Sequence, residues 1–321
     1  MGFNKKLFAA IAAPILSAAA ATGLYFGAAR LICNTAFERK SVLPAGGEGN
    51  LLHTHEMTLQ GREWLHANDK TICCRKSSDG LMLVAHYFPA DHAAATILAF
   101  HGWRGSWDID FAAIAPVLHD KGYNLLLVEQ RGQGHSDGDA MTFGLKERLD
   151  VPEWVQWYHD NVDAEIPLFL YGISMGAATV LMASAVTYPE QVKGIISDCA
   201  YTNAYDIIQR VAEAYFHIPE HPFCDSINRY CRRKLGTNLK EYSALVALHS
   251  ATLPVLFIHG RGDHLIPADM TRTAYEVCST DKELWLADGA GHAESYLMHP
   301  GEYMEKLEAF VERSLNGGQT L

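Results

Sequence analysis

The chain of 321 residues lacks the signatures of several large enzyme classes. It contains no phosphate loop, no dinucleotide-binding fingerprint and no HExxH zinc motif. Its seven cysteines do not show the spacing of metal ligands. We therefore expect neither a cofactor nor a bound metal. Cys224 and Cys231 would be able to pair in an oxidising compartment, but the odd total argues against a disulfide framework, so the compartment stays open.

Positive charge is also scarce. The chain has 26 lysines and arginines against 37 acidic residues, which gives a formal net charge of −11. This charge argues against a nucleic-acid partner and against an electrostatic attachment to anionic lipid. The hydrophobic content of 49% and the charged content of 20% are ordinary for a globular protein with a sizeable core.

One long stretch has no charge at all. Residues 7–29 are uncharged and are preceded by Lys5 and Lys6. A run of this length can cross a bilayer as a helix. The two lysines favour a cytoplasmic N-terminus and an exported catalytic domain, although Arg30, Arg39 and Lys40 on the other side weaken that prediction.

The N-terminal pattern divides the chain into three parts. We predict a hydrophobic anchor in residues 1–40, a linker in residues 41–53 and a single catalytic domain in residues 54–321. The small residues at 18–20 also fit a signal-peptidase site, so cleavage and secretion stay open as the alternative.

From about residue 80 onward, strand and helix patterns alternate. This alternation predicts an α/β fold, with a mainly parallel sheet covered by helices on both faces. Short apolar runs mark the strands at residues 95–100, 123–129, 167–171, 192–198, 254–258 and 284–287. Residues 54–60 and 81–88 show rough alternation of apolar and polar side chains, which predicts antiparallel edge strands.

The most informative motif is G-x-S-x-G at Gly172-Ile173-Ser174-Met175-Gly176. A predicted buried strand precedes it and a run of small apolar residues, typical of a buried helix, follows it. Strand, Gly-Ser-Gly and helix in this order form a nucleophile elbow, in which the turn is too tight for larger side chains. We therefore predict Ser174 as a nucleophile at the apex of the turn.

The elbow also predicts the order of its partners, which is serine, then acid, then histidine. Asp263 follows the strand at 254–258, and His292 follows the strand at 284–287. In the predicted mechanism His292 takes the proton of Ser174 and returns it to the leaving group. Asp263 holds the histidine tautomer and stabilises the imidazolium.

Other residues compete for these two roles. His259 and His264 precede the last strand and helix, and His299 lies before a proline in a segment that looks like surface. Asp269 fits a helix cap, and Asp288 ends a strand too close to the predicted histidine. We rank all five below the predicted pair.

The strand at 95–100 runs into His101-Gly102-Trp103-Arg104-Gly105. In a fold with this elbow, the loop at this place supplies one N–H of the oxyanion hole, and the residue after the nucleophile supplies the other. We therefore predict the backbone N–H groups of Trp103 and Met175 as the oxyanion hole. His101 is interpreted as a structural residue.

Five ordered motifs now resemble the α/β-hydrolase superfamily. They are Phe100-His101-Gly102, the segment Glu129 to Ser136, the Ser174 elbow, Gly262-Asp263 and Gly291-His292. More narrowly, they are similar to bacterial Bem46 and prolyl-oligopeptidase-like hydrolases with an N-terminal hydrophobic anchor. The resemblance covers residues 70–315. One departure is Glu129, because that turn more often begins with aspartate in such hydrolases.

Residues 201–253 separate two predicted strands and exceed a minimal crossover. Two helices are predicted there, at 204–216 and 226–235, and in this superfamily such an insertion is similar to a lid. An inert pair of crossover helices is the alternative. The aromatic side chains of residues 201–253 either line an acyl pocket or pack the core. They are Tyr201, Tyr205, Tyr215, Phe216 and Phe223.

The resemblance and the motifs together predict a serine hydrolase that cleaves carboxylic esters of short to medium acyl chains through an acyl-enzyme. The expected partners are a small-molecule ester and, through the N-terminal segment, a membrane. A serine peptidase or amidase, a thioesterase, and a non-enzymatic membrane-tethered scaffold are the alternatives. The natural substrate and the oligomeric state stay open.

Overall fold

The computed structural model describes residue 27, residues 30–40 and residues 51–317 of the chain. These residues contain one sheet of eight strands. The strands are β1 (Thr71–Lys76), β2 (Met82–Phe88), β3 (Ala95–Phe100), β4 (Tyr123–Glu129), β5 (Leu168–Ile173), β6 (Val192–Asp198), β7 (Val255–Gly260) and β8 (Lys282–Ala287).

The strand order across the sheet is β1-β2-β4-β3-β5-β6-β7-β8. Strand β2 pairs antiparallel with both β1 and β4, and the other neighbouring pairs are parallel. The predicted α/β class with a mainly parallel sheet is therefore confirmed. Because parallel strands end at the same edge, the segments after β3, β5, β6, β7 and β8 meet there.

Helices cover both faces of the sheet. They are α1 (residues 30–37), α2 (Leu51–Thr54), α3 (Glu56–Ala67), α4 (Trp107–Asp110), α5 (Ala115–Asp120), α6 (Glu147–Asn161), α7 (Met175–Met182), α8 (Ala204–Phe216), α9 (Glu220–Tyr230), α10 (Ala244–Leu248), α11 (Ala268–Val277), α12 (Ser295–Met298) and α13 (Pro300–Leu315). The central strands β3, β4, β5 and β7 are buried along their whole length, as strands covered on both faces must be.

The prediction of an edge strand at residues 54–60 is wrong. At residues 81–88 the antiparallel strand is confirmed by β2, but β2 lies between β1 and β4, so its predicted place at the edge is wrong. Helix α3 occupies the first segment, and the His55 side chain caps it by accepting a hydrogen bond from the Met57 N–H. Its buried residues, Thr58, Gly61 and Leu65, recur every three or four positions. Burial of one helical face at this spacing favours a helix over the strand that the weak alternation predicted.

Residues 201–253 lie between β6 and β7, as predicted, and contain α8, α9, a π-helical turn over Cys231–Leu235, and α10. The second predicted helix begins earlier than expected, at Glu220 rather than at residue 226. Tyr201, Tyr205 and Phe223 are buried in the core. The side chains of residues 215 and 216 lie outside the described parts.

The predicted anchor at residues 7–29 lies outside the described residues except for Gly27, and the predicted linker is described only from residue 51 onward. In the described parts of the chain, no helix is both long enough and apolar enough to cross a membrane. Residues 30–37 are helical, and the segment up to residue 40 contacts the rest of the protein, so the boundary predicted at residue 40 stays a prediction.

Candidate active site

Ser174 stands in the tight turn between β5 and α7. Its backbone has φ of +56° and ψ of −115°, a combination that residues with a side chain rarely adopt. A β-carbon at residue 172 would lie 2.3 Å from the Gly176 carbonyl, and one at residue 176 would lie 1.8 Å from the Phe100 carbonyl oxygen. Strand and helix approach too closely here for any residue but glycine, as the sequence motif predicts.

The structure brings the three predicted catalytic side chains together at the carboxyl edge of the sheet. The Oγ of Ser174 lies 2.9 Å from Nε2 of His292, and Nδ1 of His292 lies 2.7 Å from Oδ2 of Asp263. Ser174 and His292 are partly exposed, and the side chain of Asp263 is fully buried. This geometry suits proton transfer from the hydroxyl to the imidazole.

Asp263 is fixed by four hydrogen-bond donors. Its Oδ1 accepts from the N–H groups of Leu265 (2.9 Å) and Ile266 (2.8 Å), and its Oδ2 contacts both His292 and Nε2 of His259, the latter at 3.1 Å. Burial opposes ionisation, but the hydrogen bonds and positive charge of the two histidines outweigh it. They hold the pKa of Asp263 well below its ordinary value. The carboxylate is therefore ionised when His292 gains a proton.

His259 was a competitor for the role of base, and it lies instead behind the acid. Its ring is fully buried; Nδ1 lies 2.7 Å from Thr271 Oγ1, and Nε2 lies 2.8 Å from the carbonyl oxygen of Ile266. Its contact within the candidate site is with Asp263. Sequence reasoning missed this second histidine on the acid, although its position four residues before Asp263, on a strand, was a usable signal.

The other competitors make different contacts. His264 is exposed, and Nε2 of His299 contacts the Asp288 backbone oxygen. The Asp288 side chain is 84% exposed and pairs with Arg261. Asp269 lies in the first turn of α11, with its side chain 91% exposed. None of these four is placed to assist the serine.

The loop after β3 lies beside Ser174. An added β-carbon at residue 102 would lie 3.3 Å from Cβ of Ser174 and 3.2 Å from Oδ2 of Asp110. The Gly102 N–H donates to that Asp110 oxygen at 2.5 Å. Asp110, buried in the short helix α4, therefore fixes this loop, and it was not foreseen from the sequence.

The two predicted oxyanion donors flank the nucleophile. Met175 is the first residue of α7, and the first N–H groups of a helix have no acceptor within it. Trp103 lies in the loop fixed by Asp110, and its indole N–H donates to the Ala36 carbonyl at 2.8 Å. Nε2 of His101 accepts from the Gln130 N–H at 3.2 Å. This contact agrees with a structural role for His101.

A second buried carboxylate lies close to the serine. Asp198 ends β6, its carbonyl oxygen accepts from the Ser174 N–H at 2.9 Å, and its Oδ2 accepts from the Tyr303 hydroxyl at 3.0 Å. Burial raises the pKa of Asp198 to about 6. Its charge interacts with that of His292, so it is the next carboxylate to consider as a partner of the histidine.

The described residues also bear on metals and disulfides. Within them, no group of three or more histidine, cysteine or acidic side chains is arranged to hold a metal ion. All seven cysteines are described and each is a free thiol, Cys224 and Cys231 included.

Comparison with known proteins agrees with this architecture. A family model for the α/β-hydrolase fold matches residues 95–217. The protein YqkD of Bacillus subtilis strain 168, which is uncharacterized, is 26% identical over 193 residues, equal to 60% of this chain and 63% of YqkD. This chain thus matches less than two thirds of that relative.

Solved structures share the fold at low identity. The esterase Pf2001 of Pyrococcus furiosus aligns with a TM-score of 0.62 and 22% identity, over 78% of this chain and 94% of the esterase. The acylaminoacyl peptidase of Pyrococcus horikoshii aligns with a TM-score of 0.57 and 18% identity, over 79% of this chain and 42% of the peptidase. The fold is that of the α/β-hydrolases. The likeness of the sequence to the α/β-hydrolase superfamily, and the narrower likeness to Bem46-like hydrolases, agree with this fold, and the narrower one stays a prediction.

Proposed function

We propose that the protein is a serine hydrolase that cleaves carboxylic esters of short to medium acyl chains. The observation that carries this proposal is the hydrogen-bonded line from Ser174 through His292 to the ionised Asp263. His292 takes the hydroxyl proton while Oγ of Ser174 attacks the ester carbonyl, and it then protonates the departing alcohol. Water, activated by the same imidazole, releases the acid from the acyl-enzyme.

The N–H groups of Trp103 and Met175 are proposed to receive the negative oxygen of the tetrahedral intermediate. Each such donor contributes roughly 10²–10³ in rate. Both lie beside the serine on segments that are held rigidly: Met175 at the helix start, and Trp103 in the loop that Asp110 fixes.

We propose that the aromatic side chains of Trp103, Phe143 and Tyr201 line an acyl pocket of limited length. The Phe143 ring lies between Trp103, at a centroid distance of 6.3 Å, and Tyr201, at 6.4 Å. Each buried CH₂ adds about 0.8 kcal/mol until such a pocket is full. Specificity constants are therefore expected to rise from acetyl esters, to peak at roughly four to eight carbons, and then to fall.

Amide cleavage and thioester cleavage are the alternatives with the same three side chains. The Pyrococcus horikoshii neighbour is a peptidase, but this chain matches only 42% of its length. The Pyrococcus furiosus neighbour is an esterase, and this chain matches 94% of its length. Ester cleavage is for that reason the leading proposal.

The test combines active-site labelling with a substrate series. A fluorophosphonate should label the wild-type chain but not Ser174→Ala, whose thermal unfolding should be nearly unchanged because only a hydroxyl is lost. Ser226→Ala, at a partly exposed serine of α9, is the matched control and should label normally. Hydrolysis of p-nitrophenyl esters from acetyl to palmitoyl then locates the optimum. Wild-type turnover in a folded Ser174→Ala protein would refute the mechanism, and cleavage of peptides or acyl thioesters without ester turnover would favour an alternative.

We also propose that residues 7–29 anchor the chain in a membrane, with the catalytic domain extracytoplasmic. The uncharged run and the lysines before it support this proposal. Fractionation of the full-length chain against a chain that begins at residue 30 tests the anchor, and protease protection in spheroplasts tests the orientation. A full-length chain that stays unprocessed and entirely in the soluble fraction would exclude the anchor.

A further inference from the structure

Residues 30–40, which we call the strap, run from helix α1 across the loop that carries Trp103. The carbonyl groups at the C-terminal end of this helix point toward that loop. The Trp103 indole N–H donates to the Ala36 oxygen at 2.8 Å. The Arg104 guanidinium donates to the Thr35 oxygen at 2.8 Å and to the Glu38 oxygen at 2.6 Å.

Two successive loop residues therefore cap the C-terminus of α1. The last carbonyls of a helix have no partner within it, and they form the negative end of its dipole. A guanidinium with several fixed donors is suited to satisfy them. The contacts join residues 65 to 69 positions apart in the chain, so they are tertiary contacts that link the strap to the catalytic loop.

The strap is also held at its other side. Phe37 is fully buried, with its ring centroid 5.2 Å from that of Phe143, and its carbonyl oxygen accepts from the Met141 N–H at 2.7 Å. Arg39 donates to the Ser136 oxygen at 2.6 Å. These contacts fix the strap against the body of the domain, so the strap can in turn fix the loop.

The loop needs such support because its backbone is strained. Arg104 has φ of +52°, in the left-handed region, which is unfavourable for a residue with a side chain. The loop is held from one side by Asp110, through the Gly102 N–H, and from the other side by the strap. The backbone N–H of Trp103 lies between these two attachments.

We propose that the strap is a positioning element of the oxyanion hole, which acts by fixing Trp103 and Arg104. This inference rests on the proposed hydrolase function and places the functional start of the catalytic domain near residue 30 rather than after residue 40. The residues that follow the apolar run are then part of the catalytic apparatus, whether that run anchors the chain or is removed.

The effect of losing the strap follows from the role of the loop. Removal of one oxyanion donor lowers the rate roughly 10²–10³-fold. Displacement of the Trp103 N–H without its removal should cost less, on the order of 10–10²-fold in kcat. KM should change little, because the displaced N–H acts mainly on the transition state.

The experiment compares Arg104→Ala and Arg104→Lys with the wild-type chain and with Arg272→Ala. Arg272 is an exposed arginine of α11 that pairs with Asp269, so its replacement controls for the loss of a positive charge. Three quantities are measured: kcat and KM for p-nitrophenyl butyrate, the affinity for a butyryl trifluoromethyl ketone, whose adduct carries an oxyanion, and the hydrogen exchange of the amides at residues 102–105.

For Arg104→Ala we expect kcat and ketone affinity to fall by the same factor, faster amide exchange in the loop, and a nearly unchanged KM. Arg104→Lys should restore part of each effect. A chain that begins at residue 30 should retain full activity, and one that begins at residue 41 should show at least the loss of Arg104→Ala. Unchanged kcat and ketone affinity in Arg104→Ala, or a folded and fully active chain from residue 41, would overturn the proposal.

If the proposed function itself is wrong, the measurements give a different result. In that case the wild-type chain itself is not labelled by the fluorophosphonate and does not hydrolyse the ester. Hydrogen exchange still tests whether the strap fixes the loop, because this test does not need an active enzyme. Unchanged exchange of the loop amides in Arg104→Ala would overturn the positioning role in an inactive protein as well.

Discussion

Replacement of Asp263 by asparagine gives the sharpest test of the site, because the surrounding donors dictate how the amide must lie. The N–H groups of Leu265 and Ile266, at 2.9 and 2.8 Å from Oδ1, require an oxygen at that position. The amide oxygen therefore takes the place of Oδ1, and the NH₂ group takes the place of Oδ2. The NH₂ group then faces His292 and His259 in place of the carboxylate oxygen Oδ2.

The imidazole must adapt to this donor. His292 can accept a hydrogen bond at Nδ1 only if its proton moves to Nε2, the atom that lies 2.9 Å from the Ser174 oxygen. In that tautomer it cannot take the serine proton. We expect kcat to fall roughly 10³–10⁴-fold, equivalent to about 4–5.5 kcal/mol of activation free energy. The stability of the fold should fall by about 1–3 kcal/mol, because a charged acceptor of buried hydrogen bonds is lost.

The assay measures kcat and KM on p-nitrophenyl butyrate together with urea unfolding, so that loss of activity is separated from loss of structure. Asp288→Asn is the matched control and should behave as the wild type, because its carboxylate is exposed and pairs with Arg261. A folded Asp263→Asn protein with kcat within tenfold of the wild type would refute the reasoning. Asp198, buried beside Ser174, would then be the acid to test.

Two further predictions concern stability. Glu129→Asp should lower the free energy of unfolding by about 1–3 kcal/mol, because the shorter carboxylate loses its 2.7 Å contact with buried His86. We expect kcat to stay near the wild-type value. An unchanged urea midpoint would contradict this role for the glutamate. Burial raises the pKa of Asp198 from 3.8 to about 6, so between these values the native state binds more protons than the unfolded state and stability falls as pH rises. Asp198→Asn should remove this component of the fall when urea unfolding is followed from pH 4 to pH 7, and an unchanged slope would contradict it.

The parts of the site that the sequence predicted depend on local pattern and chain order. The glycines at 172 and 176 indicate a turn in which a β-carbon would lie within 2.3 Å of backbone atoms. This constraint can be recognised from the five residues of the motif alone. Asp263 and His292 each follow a parallel strand. Because the carboxyl ends of such strands meet, their order along the chain was enough to bring them to Ser174.

The residues that sequence reasoning missed act through contacts between distant parts of the chain. Asp110 fixes the loop after β3 through one backbone N–H, and buried His259 on β7 contacts Asp263. Neither contact leaves a periodic pattern. The strand prediction at 54–60 was wrong for a related reason. Alternation over seven residues is weak evidence, and helix α3 forms there because it buries a face that includes Gly61 and Leu65.

The strap shows why the N-terminal boundary was hard to place. The sequence argument weighed Arg39 as a charge that flanks a membrane segment, whereas its guanidinium donates to backbone carbonyls at Ser136 and Gly138. An arginine held by tertiary contacts says little about membrane orientation, since the fold already accounts for it. With Arg39 set aside, Lys5 and Lys6 face only Arg30 and Lys40 across the apolar run. Setting Arg39 aside removes one of the positive charges that oppose a cytoplasmic N-terminus, so the proposed orientation is strengthened, and protease protection of the full-length chain tests it.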